Sequence, residues 1–535
     1  MYNETRKEQS VIRSFFGRRN GMKQYETFEL CLGGPDLDQA WAEVDLTASF
    51  TLDGETRTVR GFYDGDGRYV VRFLPEKPGE VRWRVSGVVC AEGREICEPA
   101  RGLHGPVRAA GTHFEYADGP LFIPFGTTVY ALASQDDALV EQTLETLKAA
   151  PFNKVRMCVF PKHYDYNHNE PPAYPFEKNG DGSWDVNRPN IAFWHRFETI
   201  LTRIAATGIQ ADLILFHPYD RWGFASLPQR DNLIYLDYLL RRLSAFPNIW
   251  WSLANEYDLN MDHKSLADWE EIEEYVAAHD PYRHLLSCHN CMCFWDFSRP
   301  NVTHASIQTK ALTEIPRWIR EYRKPVVIDE CCYEGSLPHF WGSISGAEMV
   351  RRFWRCCASG AYCTHGETFL SEDEILWWAR GGTLRGESPE RIAFLRGIME
   401  SLPGPLTPVS GGLPDLAMLE GEELEKALTG MPDGMKHFVR LFSDSVRRMD
   451  ARDRIPHLAG EHGWESRCGE EAYLTYFDLQ CYGEKILSLP EDKVYRVELI
   501  DCWNMTRETL KDHASGQTRL TLPGRDNLAL LATRI

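Results

Sequence analysis

Between residues 115 and 405, eight short apolar runs alternate with segments of helix length. The runs fall at 121–125, 154–160, 211–216, 250–254, 284–288, 302–308, 326–329 and 360–364. Short continuous apolar runs bounded by polar segments read as parallel strands covered on both faces. Helix patterns lie between several of them. The segment 138–149 follows Ser134-Gln135-Asp136-Asp137, a capping signal. The segment 191–207 carries Phe193, Phe197, Ile200, Leu201 and Ile204 at helical spacing, and 232–246 and 265–279 also read as helices. Eight strands alternating with helices over about 290 residues match the size of a (β/α)8 barrel. The rival is an open doubly wound sheet, which usually shows an early glycine-rich phosphate turn, and this sequence has none.

The flanks read differently. From 24 to 107 apolar and polar residues alternate, as at Tyr69, Val71, Phe73 and at Val81, Trp83, Val85. Asp53-Gly54, Asp64-Gly65 and Asp66-Gly67 are hairpin-type turns. Beyond residue 405 the chain loosens around Pro408, Gly411-Gly412 and Pro414, and strand patterns return at 473–479, 494–500, 518–522 and 528–532. The predicted fold class is therefore α/β: a (β/α)8 TIM barrel with N-terminal and C-terminal β-sandwich domains. The expected divisions are a leader at 1–23, a sandwich at 24–107, the barrel at 108–405, a linker and connecting segment at 406–455 and a second sandwich at 456–535.

Two of the barrel runs end in a glutamate. Ile249-Trp250-Trp251-Ser252-Leu253-Ala254 leads to Asn255-Glu256, and Val326-Val327-Ile328-Asp329 leads to Glu330. Carboxylates at the C-terminal ends of barrel strands lie where barrel enzymes do their chemistry. Two carboxyls flanking one bond are what glycoside hydrolysis needs, one protonated to assist departure and one ionised to attack. Glu256 is the expected acid/base, with a pKa raised by an apolar setting, and Asn255 beside it is placed to bind a sugar hydroxyl. Glu330 is the expected nucleophile, with Arg156 on the second strand as a candidate cation. Asp329 should face away from Glu330 under strand alternation, and Glu334 lies past the strand end.

Polar and aromatic groups at other strand ends complete the candidate site: Tyr130, His217, Asp220, His289, Asn290 and Glu367. Glu367 has an arginine bridge as its bland alternative. Trp377, in Trp377-Trp378, either walls a sugar subsite or packs against a helix at 391–401. Cys288, His289, Cys291 and Cys293 form the most metal-like cluster, but no partner pair with ribbon spacing exists, so no metal and no cofactor are expected. Adjacent acids make Cys331 and Cys332 poor nucleophiles.

A net charge of −19 argues against nucleic-acid binding, and no run of 18 apolar residues predicts a membrane span. The polar start, Met1 to Glu8, lacks the apolar core of a signal peptide, and an odd fifteen cysteines, several in apolar runs, suit a reducing cytoplasm.

At Asn255-Glu256 and Glu330 the chain resembles clan A of the glycoside hydrolases. Phe125-Gly126-Thr127-Thr128 resembles the first-strand motif of its apiosidase-like and endoglucanase-like members. The N-terminal sandwich and the segment Gly381 to Pro389 resemble regions flanking the barrel in the same group. The resemblance implies a retaining mechanism. Many clan members hold the nucleophile with a tyrosine on strand six. The run 302–308 has none, so His304 or Tyr333 would have to serve.

The reading is a retaining exo-β-glycosidase of β-galactosidase or β-glucosidase type, acting on small carbohydrates in the cytoplasm without a cofactor. Endoglucanase, β-xylosidase, apiosidase or arabinofuranosidase activity stays open, as does self-association into a homo-oligomer. The rivals are a carbohydrate-binding protein with an inactive barrel and a metal-dependent hydrolase.

Overall fold

A computed structural model describes residues 21–38, 41–409, 416, 419–450 and 464–535. Most of the expected leader, together with Gly411-Gly412, Pro414 and residues 451–463, lies outside them.

Eight parallel strands form the central sheet: Phe125–Thr128, Lys154–Cys158, Gln210–Phe216, Ile249–Ala254, Leu286–Ser287, Ala305–Gln308, Val326–Glu330 and Tyr362–His365. Here they are barrel strands one to eight. Their order is five-four-three-two-one-eight-seven-six. The seam between strands five and six is closed by a backbone bond and by side chains. Thr303 N–H donates to the Leu286 carbonyl at 2.8 Å and Ser287 Oγ to the His304 carbonyl at 2.6 Å. Asn290 bonds both backbone groups of Gln308, at 3.1 and 3.2 Å.

The first strand differs from expectation. Leu121–Phe122 pairs instead with His113–Tyr116, in a three-stranded sheet with Val107–Ala110. Pro124 separates the two segments and cannot donate to a ladder. This small sheet floors the barrel, where Phe114 packs on Trp250 and Tyr362 with ring centroids 5.0 and 5.3 Å apart. His304 sits in this floor, 5.4 Å from the Trp250 ring, so it is no partner for Glu330.

Above the floor the barrel interior is charged. Lys154 Nζ lies 2.8 Å from Asp212 and 2.6 Å from Asp329. Asp329 also accepts from Ser306 Oγ at 2.6 Å and Thr364 Oγ1 at 2.8 Å. A buried carboxylate persists only when paired and hydrogen-bonded, and these partners hold Asp329 well below the usual range despite its burial.

The helices are close to expectation. Asp137–Ala149 is capped by Asp136, and Leu266–His279 by a Ser265–Asp268 capping box. The helix expected at 232–246 runs instead over Gln229–Leu243. It ends early because Pro247 disfavours a helical Phe246.

N-terminal to the barrel, a four-stranded antiparallel sheet faces a three-stranded one, with Phe50 stacked on Phe73 at 4.1 Å. Buried Arg242 binds Asp64 of this unit and Glu198 of the barrel, tying the two together. The C-terminal unit is a six-stranded antiparallel sheet with a two-stranded one. Asp478 docks it on Arg351 and Arg355 at 2.8 and 2.7 Å. The connecting segment is not mere linker. Its described residues include helices Gly421–Ala427 and Asp433–Arg447, which bury Leu424, Leu428 and Val439 together.

Candidate active site

Strand four delivers Glu256. Its φ of 54° is left-handed, an unfavourable region for a side chain of this size. The turn aims the carboxylate across the barrel mouth. Oε2 accepts from the Tyr219 hydroxyl and from Asn255 Nδ2 (3.0 Å), and Oε1 from Gln308 Nε2 (3.2 Å).

Strand seven delivers Glu330. Its Oε1 accepts from the Tyr130 hydroxyl and lies 3.9 Å from Arg156 Nη1. Tyr333 supplies a second hydroxyl. Alternation would turn Asp329 the opposite way, but Arg156 faces both Asp329 and Glu330. The cause is a register shift: Ile307 pairs with Ile328 but Gln308 with Glu330, so Asp329 is the extra residue of a bulge in strand seven that breaks its alternation.

The imidazole of His289 reaches both glutamates. Glu256 N–H donates to its Nδ1 at 3.4 Å, and its Nε2 is 3.8 Å from Glu330. Burial, and next the charge of Glu256, push the Glu330 carboxyl up to about 7, against Arg156 and the two tyrosine hydroxyls.

Lys162 was not among the sequence candidates. Its ammonium lies 3.4 Å from the Tyr130 ring centroid and 4.2 Å from that of Tyr219, the two tyrosines that hold the glutamates. Tyr164, Tyr166 and Tyr333 cluster on Trp378, with centroids 5.1 to 5.8 Å apart. Around the glutamates several buried polar atoms lack a hydrogen-bond partner: the guanidinium nitrogens of Arg156, Tyr164 Oη, His217 Nδ1, Asn255 Oδ1, His289 Nε2, Gln308 Oε1 and Trp378 Nε1. Such atoms are costly unless a ligand or water meets them.

The sequence of residues 108–391 matches the family described as "Apiosidase-like, catalytic domain", a match over more than half the chain. The chain belongs to the apiosidase-like family. Two domains of unknown function match the flanks, DUF5060 at 21–87 and DUF5605 at 463–533. A candidate glycoside hydrolase from Bacteroides vulgatus ATCC 8482 is 32% identical, with a TM-score of 0.81 over 97% of this chain and all of the other. A glycoside hydrolase family 5 protein from the same organism, 14% identical, shares the fold at a TM-score of 0.56 over 80% of this chain and 93% of its own. No curated protein matches the sequence. The protein is a glycoside hydrolase, and its substrates are carbohydrates.

Within this hydrolase, the mouth gathers Asn255, Glu256, Glu330, Arg156, Tyr130, His289 and Tyr333. His217 stands in the wall, donating from Nε2 to the Phe160 carbonyl at 3.2 Å. Four candidates are turned to other tasks. Asp220 accepts from the Trp222 and Ala225 amides, both at 2.7 Å, and so closes its own loop. Asn290 is spent on the barrel seam. Glu367 accepts the Arg385 and Gly386 amides rather than an arginine side chain. Trp377 is buried and donates to Thr127 at 2.8 Å, so its neighbour Trp378 makes the wall. Glu334 likewise faces away, toward Glu387 and Ser388.

Sequence reasoning overlooked Gln308, Tyr164 and Tyr166 as well as Lys162, and did not select Tyr219. Gln308 is a polar residue ending a barrel strand, the same signal that singled out Glu330. The tyrosines and Lys162 follow strand two, whose loop was not searched.

Tyr130→Phe tests the hydrogen bond to Glu330. The hydroxyl favours the ionised carboxylate, so its loss should raise the Glu330 pKa further. The acid limb of the kcat/KM profile should move up by about one unit, with activity near neutrality down roughly tenfold. A limb left in place would mean that this hydroxyl does not govern Glu330.

Proposed function

We propose that the protein is a retaining exo-β-glycosidase that cleaves small β-galactosides or β-glucosides by double displacement. One observation carries the reading: Glu256 and Glu330 end two barrel strands at one mouth, where Gln308 donates to Glu256 and pairs in register with Glu330, among buried polar atoms without hydrogen-bond partners. Glu330 acts as nucleophile: Arg156 and two tyrosine hydroxyls favour its charged form, against the burial and the Glu256 charge that raise its pKa. Glu256 is the acid that protonates the leaving oxygen. After glycosylation Glu256 is the base that activates water. Asn255 and Arg156 meet sugar hydroxyls or the charge that develops near them. The divisions at 24–107, 108–405 and 456–535 are proposed as three domains, the flanking two narrowing the approach. The cysteines are all free thiols, which favours a reducing compartment.

Exo action is favoured because the glutamates are only 7% and 4% exposed behind an aromatic wall. A site that pairs its polar groups with one terminal sugar rejects sugars lacking the matching hydroxyls. Digestion of a defined β-linked tetrasaccharide should release monosaccharide first, from the non-reducing end. Early release of an internal disaccharide would mean an open, endo-acting groove.

A further inference from the structure

Behind the eighth strand lies a buried cluster that the glycosidase chemistry does not use. Glu334, His365 and Glu367 each place one ligand-type atom within 4.8 Å of the others. None is more than 1% exposed. Glu334–Gly335 pairs in parallel with Glu367–Thr368, which sets the two carboxylates side by side. His365 ends barrel strand eight, two residues before Glu367.

The backbone is shaped around these carboxylates. A Cβ on Gly346 would lie 2.6 Å from one Glu334 oxygen, and a Cβ on Gly386 2.4 Å from the other. Glu367 accepts the Arg385 and Gly386 amides at 2.6 and 2.8 Å. Glu334 accepts the Glu387 amide at 2.7 Å, the Ser388 amide at 3.3 Å and Ser388 Oγ at 2.5 Å. These bonds orient the oxygens and leave them lone pairs.

Charge is not balanced there. Among the described residues neither glutamate has an ion pair, and the Arg385 guanidinium turns to Asp373 at 3.2 Å. Two buried carboxylates without a cation are costly. His365 Nδ1 is engaged with Thr127 Oγ1 at 3.2 Å, and its Nε2 is buried with no partner. A buried imidazole with one nitrogen lacking a partner, beside two oriented carboxylates, is a borderline-metal donor set.

We propose that Glu334, His365 and Glu367 bind one divalent cation of the Zn2+ or Mn2+ class. This departs from the metal-free expectation of the sequence. Ligands at about 2.0–2.2 Å from a metal sit roughly 3.2–3.6 Å apart, so the side chains close inward by about an ångström. The ion is structural. It fastens the 385–388 loop to the ends of strands seven and eight, directly behind Tyr333 and its hydroxyl to Glu330.

The test uses the full-length protein, stripped with a chelator and titrated separately with Zn2+ and Mn2+ by calorimetry. One equivalent should bind and raise the melting temperature. His365→Phe and Glu367→Gln should each weaken binding at least tenfold. X-ray absorption of the zinc-loaded wild type should report nitrogen and oxygen ligands, and decides the matter even where a variant fails to fold. No stoichiometric binding of either ion overturns the proposal. So does binding that both variants retain, or sulfur ligation drawn from the free thiols. Glycosidase assays play no part in these readouts, so the proposal stands or falls apart from the reading of the catalytic site.

Discussion

Glu330→Gln is expected to lower kcat by about 10^4-fold or more, the scale seen when a covalent mechanism loses its nucleophile. The substitution keeps the side-chain shape and an oxygen for the Tyr130 and Tyr333 hydroxyls, so the fold should survive. Only the attacking charge is lost. A slow 2-deoxy-2-fluoro glycoside should inactivate the wild type and add its mass to the peptide carrying Glu330. Asp329, one residue earlier, is no substitute. Lys154, Ser306 and Thr364 consume its oxygens at 2.6 to 2.8 Å, deeper in the barrel. Label on Asp329 or Glu256, or a Glu330→Gln enzyme with more than a tenth of normal turnover, would end the assignment.

The barrel was legible because its signal is periodic. Each buried strand must be apolar on both faces, and eight such runs separated by helices leave few alternatives. The two glutamates were legible for a related reason, since a charge that ends an apolar run is conspicuous. What the sequence does not carry is the destination of each polar group. Asp220, Asn290 and Glu367 have the composition and position of sugar ligands. Each is instead spent on backbone amides that its own loop or seam leaves unpaired, and that demand depends on tertiary closure. The joint approach of Asp329 and Glu330 to Arg156 depends on a bulge at Asp329 in strand seven, invisible to the simple alternation rule. Trp377 and Trp378 are equivalent in sequence, and only the orientation of the short helix Trp377–Arg380 separates core from wall. Tyr333, named with His304 as a holder for Glu330, and Tyr130, named as a site residue, come from loops, where periodicity says nothing and only the resemblance and the strand ends pointed to them.

Glu256→Ala should separate substrates by their leaving groups. A poor leaving group, such as a sugar hydroxyl, departs only as it is protonated. An activated nitrophenolate needs no proton. The variant should therefore lose about 10^3-fold or more on a disaccharide, within the reach of general acid catalysis at a positioned carboxyl. On the activated aryl glycoside the first step should survive and the glycosyl-enzyme should accumulate, because the base for the second step is gone. Azide needs no base. Entering the space vacated beside Asn255 and Gln308, it should restore turnover of the aryl substrate and yield a β-glycosyl azide, retaining the configuration of the starting sugar. The Tyr219 hydroxyl and Asn255 amide that now bind Glu256 are left free to orient the anion. Equal losses on both substrates with no azide effect would remove Glu256 from the acid/base role, and an α-glycosyl azide would exclude double displacement.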